Sequence, residues 1–321
     1  MRWIAVETHT HTQHSDAQLS VERLIANSRL AELDAVVLSD HNTDSGMREV
    51  PADQCSPEVI PGVEWTTFYG HLVAVAPEKF VDWRDLDVNN LDTHLRALHD
   101  ANGVAIMAHP CDPGEPFCCG CHWDFKIEDW NEIDAVEVWH EEYPYRSKWN
   151  ASAKELWLGA LRSGFHLTAL SASDWHVTFG PEVPFGVNYL QVDETLPTAT
   201  AVKEAIRKGQ AYFTLGPTVQ LSVQCESACA QIGDRISAGN VELSLCFNNT
   251  SRRAVWEPYN LRPQSIALLQ AEKEITLPFP GYGQALTHRL QLEAGFFYVE
   301  LRGTVQNEPA MLLMTNPIYI Y

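Results

Sequence analysis

Six short apolar segments typical of β-strands each run directly into histidine or carboxylate residues. They are Trp3 to Glu7 before His9 and His11, Ala35 to Leu38 before Asp40 and His41, Val59 to Val63 before Glu64, Val104 to Met107 before His109, Ile133 to Trp139 before His140, and Leu167 to Leu170 before Asp174 and His176. Helical patterns separate these segments, and such alternation is typical of parallel strands covered by helices. Because the carboxyl ends of parallel strands share one edge, we expect these side chains to form one cluster.

The residue types and spacings in this set indicate a metal centre. His9 and His11 are two residues apart, as are Asp174 and His176, and alternate residues of an extended chain point the same way. A single histidine at a strand end is more often structural, but coincidence across six strands is hard to sustain. Mixed imidazole and carboxylate ligands suit Mn, Fe or Zn, and more than four candidates imply two or three divalent metal ions. Four other histidines are interpreted as surface or packing residues: His94, His99, His166 and His288.

The chain is predicted to have two parts, an α/β region over residues 1–215 and a small all-β sandwich over 216–321. Helices are expected over Leu19 to Leu33 with Ser20 as N-cap, Leu91 to Ala101, Ser152 to Arg162 and Thr198 to Lys208. After Gly216 the sequence changes to short alternating strands separated by turn residues. These strands are Val219 to Val223, Val241 to Phe247, Ser265 to Leu269, His288 to Leu292, Phe296 to Leu301 and Ala310 to Thr315.

Charge and hydropathy exclude several classes of partner. The chain has 22 Lys and Arg against 42 Asp and Glu, a formal charge of -20. Such acidity disfavours extended nucleic acid and anionic membrane surfaces. The apolar runs are of strand length, and a membrane-spanning helix needs about 20 residues. We expect a cytoplasmic protein with reduced cysteines that acts on a small molecule.

The strand-end residues resemble a known family. They are His9-x-His11, Ser15-Asp16, Ser39-Asp40-His41-Asn42, Gly62-Val63-Glu64, His109-Pro110 and Ser173-Asp174-Trp175-His176. In order and spacing together they resemble the polymerase and histidinol phosphatase (PHP) superfamily. The resemblance covers about residues 1–215 and implies a distorted (β/α)7 barrel with a two- or three-metal centre. Residues 198–217 and 315–319 are similar to the carbaryl-hydrolase branch, whose members have a similar β-rich C-terminal domain.

The resemblance also implies roles for individual residues. His9, His11 and Asp174 would hold a first metal, and Glu64 would bridge it to a second metal held by His109. A third metal would be held by Asp16, His41 and His176.

Two positions stay open at this stage. His140 is our choice for the further ligand of the second metal, although the branch often has Asn there, and Glu137 is interpreted as a supporting or packing residue. His71 opens a strand where related phosphoesterases also have His, and it contacts substrate or metal or has a structural role.

The function implied is a metal-dependent phosphoesterase that hydrolyses a small phosphate ester with a metal-activated hydroxide. Glu64, His71, Asp174 and His176 are the predicted catalytic residues. Arg146 and Lys148 are candidate substrate-binding cations, or residues of a solvated loop. Trp65, Trp139 and Trp175 would form an aromatic wall around a ring-bearing substrate, or fill the barrel.

Two other functions compete with this one. The first is hydrolysis of a carboxylic ester or carbamate, and the second is a metal-stabilised binding module without activity. A separate feature is the cysteine-rich loop after His109, which holds either half of a structural zinc site or free thiols. Its residues are Cys111, Cys118, Cys119, Cys121 and His122.

Overall fold

The computed structural model describes residues 1–113, 123–178, 180, 183–226, 228–250, 252, 256–271 and 273–321. In its first part strands and helices alternate, as the sequence predicts. The strands are β1 (Arg2–Glu7), β2 (Ala35–Leu38), β3 (Glu58–Thr67), β4 (Gly70–Val75), β5 (Val104–Ala108), β6 (Ala135–His140), β7 (Thr168–Ala172), β8 (Val187–Val192) and β9 (Ala211–Thr214). The α-helices are α1 (Val21–Leu30), α2 (Leu91–Asp100), α3 (Lys148–Arg162) and α4 (Thr198–Arg207).

The six strands expected to point the same way do so. β1, β2 and β3 are parallel neighbours, and so are β5, β6 and β7. β4 lies between β3 and β5 and is antiparallel to both, which keeps the two sets in one direction. The carboxyl ends of all six strands therefore share an edge, and the start of β4 lies at that same edge.

The two faces of these strands pack against different helices. Alternate side chains such as Ile4, Val6 and Val37 form an apolar cluster with Val202 and Ile206 of α4. The side chains of the opposite face pack against α1, α2 and α3. Burial on both faces explains why these strands read as continuous apolar runs.

Serine side chains fix where two of the helices begin. Ser20 Oγ accepts a hydrogen bond from the Arg23 amide at 3.3 Å, which confirms the predicted N-cap of α1. Ser147 Oγ accepts from the amides of Trp149 and Asn150. Helix α3 therefore starts at Lys148, four residues before the predicted Ser152.

The side-chain amides of two asparagines bind the backbone of β7 on the side away from β6. Within the described residues β7 forms a ladder only with β6. Asn188 of β8 accepts from the Ser171 amide at 2.8 Å and donates to the Ser171 carbonyl at 2.7 Å. Asn316 makes the same pair of bonds to Ala169, at 2.7 and 2.9 Å. These contacts link β7 to β8 and to the residue after β18 without a ladder, and the (β/α)7 barrel stays a prediction.

After Gly216 the described elements are strands, apart from a short helical segment that includes the 3-10 turn Glu257–Tyr259. The strands are β10 (Thr218–Gln224), β11 (Cys229–Ala230), β12 (Arg235–Ile236), β13 (Gly239–Asn248), β14 (Arg262–Gln270), β15 (Lys273–Pro278), β16 (Ala285–Leu292), β17 (Gly295–Val305), β18 (Glu308–Thr315) and β19 (Ile318–Ile320).

These later strands belong to two sheets. β10, β11, β13 and β16 form one sheet, and the others extend the first sheet through pairing of β18 with β9. The first sheet thus runs across residue 215, and the division at that residue stays a prediction. None of the described helices is long and apolar enough to cross a membrane.

Candidate metal centre

Four side chains meet at the centre of the shared strand edge, and we call them the inner group: His9, His11, Glu64 and Asp174. Asp174 Oδ1 lies 3.3 Å from His9 Nε2 and 2.8 Å from His11 Nε2. Glu64 Oε2 lies 3.4 Å from His9 Nε2 and 3.5 Å from His11 Nε2. His9, His11 and Glu64 are fully buried, whereas the Asp174 side chain is 16% exposed.

The inner group fits a metal ion better than it fits an ion-pair network. His9 Nε2, His11 Nε2 and Asp174 Oδ1 are buried without a hydrogen-bond partner among the residues that the structure describes, although His11 and Asp174 are only 2.8 Å apart. Each such buried atom costs about 1–3 kcal/mol unless something satisfies it. Ligand atoms about 2.1 Å from a tetrahedral ion lie about 3.4 Å apart, close to three of the four distances. The atoms converge on a common point rather than on one another.

Two of the predicted ligands also have unusual backbone conformations. His109 has φ of 26° and Asp174 has φ of 48°. Positive φ is uncommon for residues other than glycine, and such strain concentrates at functional sites. His109 directly follows β5, and Asp174 lies two residues after the end of β7, so both turns lie at the shared strand edge.

A second position lies beside the inner group, around His109 and His140. His109 Nε2 is 3.3 Å from Glu64 Oε1, and His140 Nε2 is 3.2 Å from Asp174 Oδ2. Ligand atoms of His109, His140 and Asp174 can surround one ion, as can those of His9, Glu64 and His109. Glu64 Oε1 and Asp174 Oδ2 thus face this second position. The other oxygen of each carboxylate, Glu64 Oε2 or Asp174 Oδ1, faces the histidines of the inner group.

The outer group consists of Asp16, His41 and His176, and it lies nearer to solvent. Asp16 Oδ1 is 3.1 Å from His176 Nε2, and Asp16 Oδ2 is 3.4 Å from His41 Nε2. Together with His11 these side chains offer four ligand atoms to one ion. Asp16 is 57% exposed and His176 is 32% exposed, so a ligand from solvent meets this group first.

His71 reaches the centre because β4 runs antiparallel and begins at the shared edge. Its Nδ1 lies 2.8 Å from Glu64 Oε1, and its Nε2 is buried without a partner. His71, His41 and Glu64 also form a group that could hold an ion. The structure places His71 within the cluster, and its exact role stays a prediction.

Two carboxylates orient the histidines of the centre from behind. Glu137 binds His9 Nδ1 at 2.8 Å and accepts from the His109 amide at 2.8 Å. Asp112 binds His140 Nδ1 at 2.6 Å. Both turn an Nε2 toward the centre, as partners of metal-binding histidines commonly do. Sequence reasoning weighed Glu137 as such a residue but missed Asp112.

Two further acids hold the backbone of the centre in place, and sequence reasoning missed both roles. Asp40 accepts from the Thr12 amide at 2.6 Å and from Ser15 Oγ at 2.8 Å, which fixes the loop that carries Asp16. Glu7 is fully buried and accepts from the amides of His9 and Ser173. Burial raises the pKa of Glu7 to about 7 despite these bonds.

The proximity of imidazoles and carboxylates shifts their pKa values strongly. Burial alone would lower the pKa of His41, but Asp16 and Glu64 outweigh it and raise the pKa to about 10. Burial likewise opposes Asp112 and Asp174 at His140, whose pKa is raised to about 10. Without a cation, the carboxylates thus retain protons on these imidazoles. A divalent cation offers the same charge compensation and displaces the protons.

The two candidate substrate cations have partners outside the cluster. Arg146 forms two bonds with Glu308, at 2.7 and 2.9 Å, and its guanidinium lies over the Tyr143 ring. The Lys148 ammonium lies 4.3 Å from the Trp149 ring centroid. The contact with Glu308 connects two segments 162 residues apart, which the sequence did not indicate. A role for either residue in substrate binding stays a prediction.

The three tryptophans proposed as an aromatic wall lie in the core. Trp65, Trp139 and Trp175 are only 2–3% exposed and pack among apolar side chains. Of the two alternatives, their burial favours the packing role.

Histidines given no role by the sequence lie elsewhere. His94 pairs with Asp85, and His99 pairs with Glu132 and Asp134. His288 lies on β16.

In the cysteine-rich loop, Cys111 is a half-exposed free thiol whose pKa is raised by burial. The other residues of the zinc hypothesis fall outside the described residues: Cys118, Cys119, Cys121 and His122.

Comparison with known proteins gives weak matches only. No family model matches the chain, and no curated protein matches it. A two-domain protein from Bacteroides vulgatus, described as containing a predicted PHP-like metal-dependent phosphoesterase, is 15% identical with a TM-score of 0.47 and covers 99% of this chain and 95% of its own.

Two other solved structures cover less of the chain. A protein from Bifidobacterium adolescentis, named as a proposed metal-dependent phosphoesterase, is 16% identical with a TM-score of 0.38 and covers 55% of this chain and 89% of its own. An amidohydrolase from Chromobacterium violaceum, with sulfate and no metal bound, is 15% identical with a TM-score of 0.36 and covers 64% and 96%. At these identities and TM-scores, the activities named for these proteins are not assigned to this chain.

Proposed function

We propose that the chain is a metal-dependent phosphoesterase of the PHP superfamily that hydrolyses a small phosphate ester. The observation that carries this proposal is the convergence of the inner group, where three buried ligand atoms lack partners. The resemblance of the strand-end motifs to the superfamily supports the same function. We further propose two or three divalent ions, Mn, Fe or Zn, held by the inner group, by His109 with His140, and by the outer group.

Bound there, divalent ions would lower the pKa of a water molecule and polarise the phosphoryl oxygens. Glu64 and Asp174 are the carboxylates that would hold these ions. Glu64 presents Oε2 to His9 and Oε1 to His109, and Asp174 presents Oδ1 to His11 and Oδ2 to His140. Each carboxylate thus faces histidines on two sides in one orientation, and such preorganisation would lower the cost of reaching the transition state.

The remaining polar groups would bind the ester. His71 Nε2 has no hydrogen-bond partner among the described residues. Because Nδ1 faces the Glu64 carboxylate, Nε2 would donate to a phosphoryl oxygen when the ring carries a proton on both nitrogens. His176 and Asp16 are partly exposed at the mouth and would meet the ester from the solvent side. A phosphate ester would not need a basic protein surface to bind here, because the divalent cations would supply positive charge within the site.

The test compares three substrates on the Mn-loaded full-length protein. We expect turnover of p-nitrophenyl phosphate, measured beside bis-p-nitrophenyl phosphate and p-nitrophenyl acetate. Asp174→Ala should abolish this turnover, whereas Asp134→Asn, which alters a carboxylate paired with His99, should keep it. Turnover of the acetate alone would overturn the phosphoesterase and favour the carboxylic ester or carbamate hydrolase.

A second measurement tests the ligand assignments directly. Elemental analysis combined with anomalous diffraction should find two or three ions at the strand edge. Metal content unchanged in Asp174→Ala, together with no turnover of any substrate, would instead favour a binding module.

A further inference from the structure

The stretch Arg207-Lys208-Gly209 has no part in the metal centre and lines a separate cleft. The cleft has a volume of about 250 Å³ and lies between the end of α4, the start of β7, β12 and β19. Thr168, the first residue of β7, borders the cleft, whereas Asp174 follows the strand's far end. At about 3.3 Å per residue this separation is roughly 20 Å, so the cleft is a distinct site.

The side chains of the cleft are basic or neutral. Its described lining residues include Arg207, Lys208 and Arg235 and no Asp or Glu. The chain has only 22 Lys and Arg and a net charge of -20, so three cations in one cleft are a local concentration of positive charge, with Glu204 and Asp134 beside two of them. A cleft of one charge sign concentrates ions of the opposite sign.

Lys208 and Arg207 each have a partner next to the cleft. Lys208 pairs with Glu204 at 2.8 Å, but both side chains are about half exposed, and such pairs contribute little. Arg207 donates to the carbonyl of Gly103 at 2.8 Å, which fixes its guanidinium, and lies 3.9 Å from Asp134. Lys208 is therefore available to an incoming anion, and Arg207 adds a fixed positive charge.

Arg235 and His166 form a pre-oriented pair of donors. Arg235 donates from Nη2 to His166 Nδ1 at 3.0 Å, and within the described residues no carboxylate lies within ion-pair distance of Arg235. Because Nδ1 accepts, the ring proton of His166 is on Nε2. The ring stacks on Tyr319 with centroids 3.8 Å apart, which holds its orientation.

Burial and the neighbouring Arg235 lower the pKa of His166. The close approach of the chain around Gly233 then keeps β12 against α4. A Cβ at Gly233 would lie 2.5 Å from the Lys208 carbonyl oxygen, so only glycine fits. The backbone of the cleft is thus closely packed, whereas the side chains of His166, Lys208 and Arg235 are exposed to an incoming ligand.

We propose that this cleft binds a compact phosphate dianion, with Arg235, Lys208 and the His166 Nε2–H as its donors. A guanidinium and an ammonium suit a phosphate group, which accepts several charge-assisted hydrogen bonds at once. The volume exceeds that of several waters at about 30 Å³ each, so the phosphate can carry a small organic group. The proposal is independent of the proposed phosphoesterase activity.

Calorimetric titration of the full-length chain with inorganic phosphate tests this site. Chelator-treated protein is used, because phosphate is also the product of the proposed reaction, and circular dichroism confirms that it is folded. We expect one site whose affinity falls at least tenfold in Arg235→Ala and less than threefold in Arg235→Lys. Arg289→Ala, which removes a 90% exposed guanidinium on β16, is the matched control and should bind as the unchanged protein does.

The NMR signals of the His166 ring protons show whether phosphate binds in this cleft. They should shift when phosphate is added to the unchanged protein and should not shift in the Arg235→Ala variant. Equal losses in Arg235→Ala and Arg289→Ala would show a general charge effect and overturn the proposal. So would acetate binding as tightly as phosphate, or the absence of any heat of binding.

Discussion

Histidines meet carboxylates at both ends of β6, with opposite results. At the amino end, His99 has a partner on each ring nitrogen, Glu132 at 2.9 Å and Asp134 at 2.9 Å. At the carboxyl end, His9 and His11 each have an Nε2 that is buried and unpartnered. Identical residue types thus build a satisfied ion-pair network in one place and an unsatisfied cluster in the other. Convergent unpartnered atoms, rather than the residues themselves, distinguish a metal centre.

Of the variants compared below, Glu64→Gln is expected to lose the most activity. This variant removes the charge that links the inner group to His109, and the loss of several kcal/mol of transition-state stabilisation lowers kcat/KM about 10³-fold. The measurement is p-nitrophenyl phosphate hydrolysis with saturating Mn. Glu132→Gln, the matching change beside His99, should leave kcat/KM within about twofold. Equal losses in both variants would contradict the comparison.

A smaller effect is expected for His176→Asn in the outer group. Its Nε2 faces Asp16 at 3.1 Å, and its loss removes a ligand from the position nearest to solvent. We expect about 10²-fold lower kcat/KM and one metal equivalent fewer by elemental analysis. Full metal content in this variant would restrict the centre to the buried positions.

Glu137→Gln tests whether the carboxylate behind His9 supports metal binding or only packs. The amide cannot accept from both His9 Nδ1 and the His109 amide in the same orientation. Metal affinity should fall about tenfold, measured by competition with a chelator. Unchanged affinity with a lower unfolding midpoint would leave Glu137 with a packing role alone.

The smallest effect is expected at the satisfied end, for His99→Gln. Hydrogen bonds and charge from Asp134 outweigh burial and, with Glu132, raise the pKa of His99. A raised pKa stabilises the fold below the ordinary histidine pKa of about 6.5, and this stability is lost as pH rises through the folded value. The free energy of unfolding of the variant in urea should therefore be about 1 kcal/mol lower than that of the unchanged protein at pH 6. At higher pH the two values should lie closer together. A difference that grows with pH would contradict this assignment.

Much of the strand order and the shared edge could be predicted from sequence, because apolar runs ending in polar residues carry that information locally. Val36 and Val37 lie in such a run, and His41 follows it. The antiparallel direction of β4 was not predicted, although the seven residues between Val63 and His71 are too few for the crossover that parallel strands need. His71 was therefore identified as a candidate without a reason for its proximity to Glu64.

Contacts between distant segments account for what sequence reasoning missed at the site. Asp112 meets His140 across 28 residues, and Arg146 meets Glu308 across 162. Nothing in the local pattern of a loop aspartate or a loop arginine indicates such partners. Strand β8 was missed for another reason, since Asn188 interrupts its apolar residues, and that asparagine is the one that binds β7.

Asn316 has a consequence for the order in which the molecule is assembled. It binds Ala169 of β7, the strand that leads to Asp174, across 147 residues of chain. During synthesis from the amino terminus, β7 lacks this partner until about 147 further residues have been made. The strand that leads to Asp174 therefore receives this support only after the strands of the later, β-rich region have been translated.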